Sequence, residues 1–402
     1  MILTNKHIVL GITGSIAAYK SVSLASMLTK VGAKVDVVMT ESAAKLVAPL
    51  TFHSVTGRGA YVDDDLWQAS DHVLHIELGQ KNDAFLIAPA TANTIAKLAH
   101  GLADNLLTVT ALASRTPLLV APAMDGGMYA NPATQANLEI LAKRGMTIIG
   151  PAQGHLASGL SGMGRMVEPE ELFGWLRIAL SANGPLSEKQ IVITAGGTRE
   201  PIDPVREITN RSSGKQGYAL AQAALDLGAS VTLISSPTCL NTPHGAKLVK
   251  TSTAEEMLKA VLSSTADADA LIMAAAVADF RPTAPSDEKI KKADGVPSIT
   301  LEAAPDVLGT VAALPQDRPR LMVGFAAESQ NLLENAQSKL SSKKLDLIVA
   351  NDISSSQAGF EVDTNRVTLL WANGEKRALP LMSKAEVAER VLDVVVDLLE
   401  DL

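Results

Sequence analysis

Short β-branched runs alternate with Ala- and Leu-rich stretches along this chain, and that alternation limits its folds more than any other feature. The candidate strands are HIVLGIT (7–13), VDVVMT (35–40), AFLIAPA (84–90), PLLVAPA (117–123) and MTIIGPA (146–152). Between the first two lies SIAAYKSVSLASMLTKVG, where apolar residues recur at helical spacing and Gly32 can end the helix. Continuously apolar strands separated by amphipathic helices imply a parallel sheet covered on both faces. The same grammar restarts at QIVITAGGT (190–198), with a helix at GKQGYALAQAALDLGA and strands VTLISS (231–236), LIMAAAVA (271–278), LMVGFAAE (321–328) and LDLIVAND (345–352). A hairpin around Asn373-Gly374 and an amphipathic C-terminal helix follow. The stretch Ala182 to Ser187 reads as a linker with Gly and Pro, so the chain divides into two α/β domains, 1–182 and 188–402. The fold class is α/β, with two three-layer Rossmann-like domains built on mostly parallel sheets. A length of 402 residues suits two or three domains.

Composition narrows the function. With 35 basic and 43 acidic side chains, a formal charge of −8 and only 3% aromatics, the chain lacks the basic and stacking surfaces of a nucleic-acid binder. The single cysteine, Cys239, excludes an intrachain disulfide and a multi-thiolate zinc site. No run approaches the ~20 apolar residues of a membrane span. The opening MILTNKHIVLGITGS enters a strand without a signal-like segment, and the expectation is a cytoplasmic enzyme.

In the first half the first strand runs into Thr13-Gly14-Ser15 and a helix. Gly14 permits tight curvature, and Ser15 can cap the helix and donate to an anion. The equally weighted alternative is a corner that merely needs glycine, since this is not the dinucleotide fingerprint G-x-G-x-x-G. Three further turns should lie at the carboxyl ends of parallel strands, where open α/β sheets bind ligands. They are Thr40-Glu41-Ser42, Ala90-Thr91-Ala92-Asn93-Thr94 and Pro122-Ala123-Met124-Asp125. His75, in SDHVLHIELG, is the general-base candidate, against the commoner reading of a packing histidine; His72 carries only the packing reading.

The motifs GITGSIAAYKS, HIEL, APATANTIAKLAHGLADNLLT and PAMDGGMYANPATQ resemble the flavin-containing cysteine decarboxylases, over about residues 5–175. They resemble in particular the N-terminal half of the bacterial bifunctional phosphopantothenoylcysteine decarboxylase/phosphopantothenate–cysteine ligase family. The resemblance implies a flavodoxin-like domain holding FMN, with phosphate at Gly14–Ser15 and further contacts at Thr40, at Thr91 and Asn93, and along Ala103–Leu106. It implies that His75 serves the oxidation of the cysteinyl unit, after which CO2 is lost from a thioaldehyde-like species. Two positions depart from the family. Asp125 stands where an asparagine usually binds the substrate carboxylate, and an ionised carboxylate accepts but cannot donate. Ser158 stands where a cysteine usually protonates the enethiolate, and an alcohol is a far poorer acid than a thiol of pKa ~8.5.

The second half offers Gly196-Gly197-Thr198-Arg199 after a strand and Asn210-Arg211-Ser212-Ser213-Gly214-Lys215 opening a helix. The second loop combines main-chain donors with an ammonium, a chemistry suited to phosphate, the alternative being a simple capped helix. Ala274 to Asp279 ends a buried strand in a carboxylate, Lys289-Ile290-Lys291-Lys292 is either solvated surface or a polyanion clamp, and Lys339 and Lys343 share a helix face.

TAGGTREPIDPVREITNRSSGKQG, AAAVADF, EKIKK, VGFAAE and LDLIVAND are similar to the ligase half of the same family, over about 188–400. The resemblance implies CTP-dependent amide synthesis between 4′-phosphopantothenate and cysteine through an acyl-cytidylate. It places Asn210 at that intermediate and Lys289 at the triphosphate. It assigns Met273, Ala274, Ala275, Asp279, Pro305, Asp306, Val307, Leu308, Phe325, Lys339 and Lys343 to CTP. Mg2+ would screen the phosphates, with its ligands left open. Ala304 departs from the family's Asn-Pro-Asp. The resemblance further implies homo-oligomers, flavodomain trimers and ligase dimers giving a dodecamer. Two rivals remain: an active ligase beside a scaffolding flavodomain (or one acting on a related substrate), and, from the α/β pattern alone, a nicotinamide dehydrogenase.

Overall fold

A computed structural model describes residues 2–67, 73–155, 159, 161–292, 295–316, 318–328, 332–352 and 362–401. It separates into two compact units, Met1–Ala182 and Asn183–Leu402.

The first unit is built on a six-stranded sheet in the order Ala60–Tyr61, Lys34–Met39, His7–Ile12, Ala84–Ala90, Leu118–Pro122 and Thr147–Ile148. All of its ladders are parallel. Side chains alternate between two cores. Ala84, Leu86 and Ala88 meet Leu24 and Leu28 of the Ala18–Lys30 helix and Leu172 and Leu176 of Pro169–Ser181. Phe85 and Ile87 meet Ile95, Leu107, Leu138 and Leu141 on the other face. The unbroken apolar runs follow from this, because neither face of a central strand sees water. Gly32, at φ +83°, follows the first helix, a conformation that costs glycine little.

The second unit carries an eight-stranded sheet in the order Lys247–Lys250, Ser230–Ser235, Gln190–Ala195, Ala270–Met273, Leu321–Glu328, Leu347–Asp352, Val367–Trp371 and Lys376–Ala378. Its first six strands are parallel and its last two antiparallel, the final pair turning at Gly374. The Lys215–Asp226 and Lys384–Glu400 helices cover one face, and Ala254–Thr265, Val307–Ala312 and Leu332–Ser342 the other.

Two expected strands are shorter than their apolar runs. Of 146–152 only Thr147–Ile148 pairs, at the sheet edge. The 271–278 strand stops at Met273: the Ala275 amide donates to Thr194 Oγ1 (3.1 Å) and the Ala278 amide to Thr198 Oγ1 (2.9 Å), so side chains replace ladder partners on either side of a single backbone bridge between Ala276 and Gly197. Asp279, itself exposed, therefore closes a loop rather than a strand. Among the described residues no helix is long and apolar enough to cross a membrane.

Candidate active sites

At the carboxyl edge of the first sheet Thr13 links two neighbouring strands. Its buried hydroxyl donates to Pro89 O (2.7 Å) and accepts from the Thr91 amide (3.0 Å). The following turn closes on the next one, so a side chain at Gly14 would collide with Ser42. Thr40 and Thr91 are N-caps, accepting from the Ala43 (3.3 Å) and Thr94 (3.4 Å) amides. Ser15 is not the cap of its helix, which begins at Ala18 behind Ala17; its hydroxyl accepts from the Ala17 amide at 3.4 Å. Asn93 is exposed on the first turn of Ala92–His100.

Asp125 Oδ1 accepts from the Gly127 amide at 2.9 Å and caps Gly126–Ala130. Asp125 and Ser15 share a cavity of about 270 Å³ with Tyr19, Lys20, His155 and Arg165. Glu168 pairs with both of those cations, and the Lys20 ammonium holds its carboxyl below the usual range. Gly164 packs against Met124, whose amide donates to Gly164 O (2.9 Å), leaving no space for a Cβ. Ser158 lies outside the described residues, as does His72.

His75 does not line that cavity. It is half-buried on the Leu74–Gln80 helix, and its Nδ1 is buried without a hydrogen-bond partner. A buried, unmatched ring nitrogen is costly unless something else completes it. Nearby in the chain, Asp63 accepts from the Leu106 amide (3.0 Å) while burial pushes its carboxyl up. A turn that excludes any side chain, flanked by hydroxyl-capped helix starts, suits a phosphorylated planar cofactor.

The second unit holds a cavity of about 740 Å³. Its walls join the Asn210–Gly217 loop, the chain from Met273 to Asp279, Ala304–Leu308 and Phe325–Ala327. Asn210, Met273, Ala274, Ala275, Asp279, Pro305, Asp306, Val307, Leu308, Phe325, Lys339 and Lys343 all line it. Asn210 Nδ2 donates to Val277 O (3.0 Å), tying the loop to the opposite wall. Asp306 caps Val307–Ala312 through the Gly309 amide (2.9 Å) and pairs with Lys343; burial works against its charge, but the Lys343 ammonium keeps the carboxyl below its usual range. Lys343 extends the turn after Lys339, its amide donating to Lys339 O (3.0 Å).

Lys289 is not part of this wall. It is exposed, and its neighbour Ile290 is held elsewhere: the Ile290 amide donates to Asp203 Oδ2 (3.2 Å) and Ile290 O accepts from Arg206 (2.8 Å). Arg206 also pairs with Asp203 and holds that carboxyl far below its ordinary value. Among the described residues no three His, Cys, Asp or Glu side chains cluster as metal ligands would.

Residues 2–177 match the family described as Flavoprotein, and residues 186–399 match the DNA/pantothenate metabolism flavoprotein C-terminal domain. The chain is 47% identical over 394 residues to the coenzyme A biosynthesis bifunctional protein CoaBC of Vibrio vulnificus (strain CMCP6), with 97% of each chain covered. It is 44% identical over 396 residues to CoaBC of Bacillus subtilis, covering 98% of this chain and 97% of that one. CoaBC of Escherichia coli K12 is 44% identical over 401 residues, with 98% of each covered. The chain belongs to the CoaBC family.

In this CoaBC-family chain the second cavity also recruits Arg211, from the loop offered for phosphate, and Gln216, Asn351, Asn365 and Lys384, which were not brought forward as site residues. Asn351 ends an apolar strand run, and its side chain Oδ1 is buried and unmatched. A polar residue closing such a run at the ligand edge was the available signal. Lys384 had none, because a lysine opening an amphipathic helix ordinarily reads as surface.

Proposed function

We propose that this CoaBC-family chain joins 4′-phosphopantothenate to cysteine at the expense of CTP in its second unit. The phosphopantothenoylcysteine so formed is decarboxylated to 4′-phosphopantetheine in its FMN-binding first unit. The observation that carries the reading is the 740 Å³ cavity, where the Asn210 loop and the Lys339/Lys343 wall face one space at the sheet's exit edge. In the ligation, the pantothenate carboxylate attacks the α-phosphorus of CTP and pyrophosphate leaves. The cysteine amine then attacks the acyl carbon and CMP leaves. Both steps demand positioning and charge neutralisation more than covalent help from the protein. Asn210 braces the loop beside the reacting carboxylate, Lys339 and Lys343 face the phosphates with Mg2+ screening them, and Lys289 reaches the triphosphate from the segment tied to Asp203.

In the first unit FMN, when bound, supplies the two-electron chemistry. Gly14, Ser15, Thr40, Thr91 and Asn93 would hold it. His75 receives a substrate proton at its imidazole. Asp125 and Ser158 occupy the positions that bind carboxylate and deliver the last proton. Asp125, already capping its helix as an acceptor, favours a second reading: ligation proceeds while the flavodomain binds FMN without efficient decarboxylation. Exposed Tyr19, Leu50, Trp67 and Leu112 supply apolar surface for a homo-oligomer.

Incubation of the purified chain with 4′-phosphopantothenate, cysteine and CTP, followed by mass spectrometry of the products, tests both readings. 4′-Phosphopantetheine with CMP and CO2 is the expected outcome. Accumulation of phosphopantothenoylcysteine, relieved by Asp125→Asn or Ser158→Cys, selects the second reading. A colourless protein that binds no FMN and makes no CMP defeats both.

A further inference from the structure

Asp203 is 4% exposed, and its two carboxylate oxygens have different partners. Oδ1 accepts from the Val205 and Arg206 amides, both at 2.9 Å. With the Ile202 amide, which donates to Arg206 O (2.9 Å), these bonds close the turn between the paired strands Arg199–Pro201 and Glu207–Thr209. Oδ2 accepts instead from the Arg206 guanidinium, through Nε at 3.0 Å and through Nη2, and from the Ile290 amide at 3.2 Å. The same guanidinium donates to Ile290 O (2.8 Å). Asp203 and Arg206 thus hold both main-chain polar groups of Ile290, which lies 87 residues beyond Asp203 and next to Lys289.

An aspartate closes such a turn with one oxygen, and an asparagine does so equally well. The charge is explained by Oδ2, whose partners are a cation and a distant amide. Burying a carboxylate is costly unless donors compensate it, and here one of those donors comes from a segment with little else to hold it. Residues 284–292 carry no buried side chain. Among the described residues, all of their hydrogen bonds to the rest of the unit end on Ile202, Asp203 and Arg206, the third being the Ser286 amide to Ile202 O (2.9 Å). Upstream the segment leaves a short antiparallel pair, Phe280–Pro282 with Leu301–Ala303. The second strand of the Asp203 hairpin runs to Thr209, whose Oγ1 donates to Thr198 O (2.8 Å), and so into Asn210. One ionic knot therefore joins the separate segments that carry Asn210 and Lys289.

We infer that Asp203 is a positioning residue for ligation: through Oδ2 and Arg206 it fixes the segment carrying Lys289 against the hairpin that leads to Asn210. The inference deepens the ligase reading and rests on it for the role of Lys289. An ammonium on a flexible stem serves a triphosphate only from a backbone held within its reach. Holding that backbone in advance lowers the entropic cost of each turnover.

Asp203→Asn separates the roles of the two oxygens. An amide oxygen at Oδ1 still closes the turn, whereas an NH2 in place of Oδ2 faces only donors. With the full chain, kcat and KM for CTP are measured for wild type, Asp203→Asn, Lys289→Gln and the double variant. Trypsin cleavage after Lys289, Lys291 and Lys292 is followed by mass spectrometry. Asp203→Asn should lower kcat/KM for CTP by about tenfold or more, the worth of a hydrogen bond to a charged group. In the Lys289→Gln background the same change should cost less than about twofold, because the two residues act as one unit. Cleavage at these lysines should quicken severalfold with flavin content unchanged. A purely structural role would instead lower the melting temperature and add the same kinetic loss in both backgrounds. Should Asp203→Asn melt early, Arg206→Gln carries the comparison, since it leaves both Oδ1 bonds in place. Equal losses in the two backgrounds, or CTP kinetics of Asp203→Asn within about twofold of wild type, overturn the inference. Wild-type ligation by Lys289→Gln also overturns it and leaves the ligase reading intact. A wild-type chain that makes no CMP overturns the ligase reading; unchanged cleavage would then overturn the tether as well, and faster cleavage would retain it.

Discussion

The two sheets present the same exit edge to ligands and equip it differently. In the first unit that edge is made of short groups: a glycine with no room for a side chain, threonine hydroxyls that cap helices, and a threonine joining two strands. Its cations, Lys20 and Arg165, are engaged by Glu168. In the second unit the edge encloses a larger cavity lined by Arg211, Lys215, Lys339, Lys343 and Lys384 against Asp279 and Asp306. One architecture thus supports two chemistries, and the difference resides in the side chains at the turns. Close main-chain approach serves a ligand recognised by shape and a few hydrogen bonds, whereas a polyanion calls for long, charged side chains from several elements.

Four substitutions put this contrast at risk. His75→Asn should reduce decarboxylation by about 10²–10⁴-fold, the usual worth of a general acid or base, while CTP turnover is unchanged. An unaltered rate of CO2 release would return His75 to a packing role. Lys289→Gln should lower the rate of CMP formation by about 10²–10³-fold with flavin content unchanged. Because Lys289 lies outside the cavity wall, retained ligation would remove it from the mechanism. Gly14→Val should cost about 1–3 kcal/mol of stability in the first unit and deplete bound flavin, read by calorimetric melting and visible absorbance. A fully yellow variant of wild-type stability would show that the Gly14–Ser42 approach is dispensable.

The smallest effect concerns Asp306. Its carboxyl is held below the ordinary value, so its contribution is present above the unfolded-state pKa and is lost as pH falls through the folded one. Asp306→Asn should therefore flatten the acid limb of the pH–stability curve below about pH 4, with a difference under about 1 kcal/mol at neutral pH for a partly exposed pair. An acid limb that matches wild type would mean that the Lys343 pairing contributes nothing measurable.

Much of the fold was legible along the chain. The runs at 84–90 and 321–328 coincide with strands, and helix and strand alternate as the periodicity predicts. The run 271–278 misled because alanines off a ladder look like alanines in one; only Thr194 and Thr198, reaching across from another segment, reveal where the strand ends. Ser15 was misplaced as a cap for a related reason, the helix starting one turn later behind Ala17. Twelve of the residues taken from motifs, Asn210 among them, face one cavity, whereas Lys289 stands apart because Asp203 and Arg206 tether its neighbour.

Periodicity, glycine placement and the identity of turn residues are properties of neighbours in the chain, and from them alone came two layered α/β units with polar exit turns. Gln216 and Lys384 are 168 residues apart, and nothing local marks Lys384 as a buried lysine. Only the packing of two helices brings Lys384 and Lys215 to a common wall, because burial and charge repulsion depend on what the folded chain places within a few ångströms.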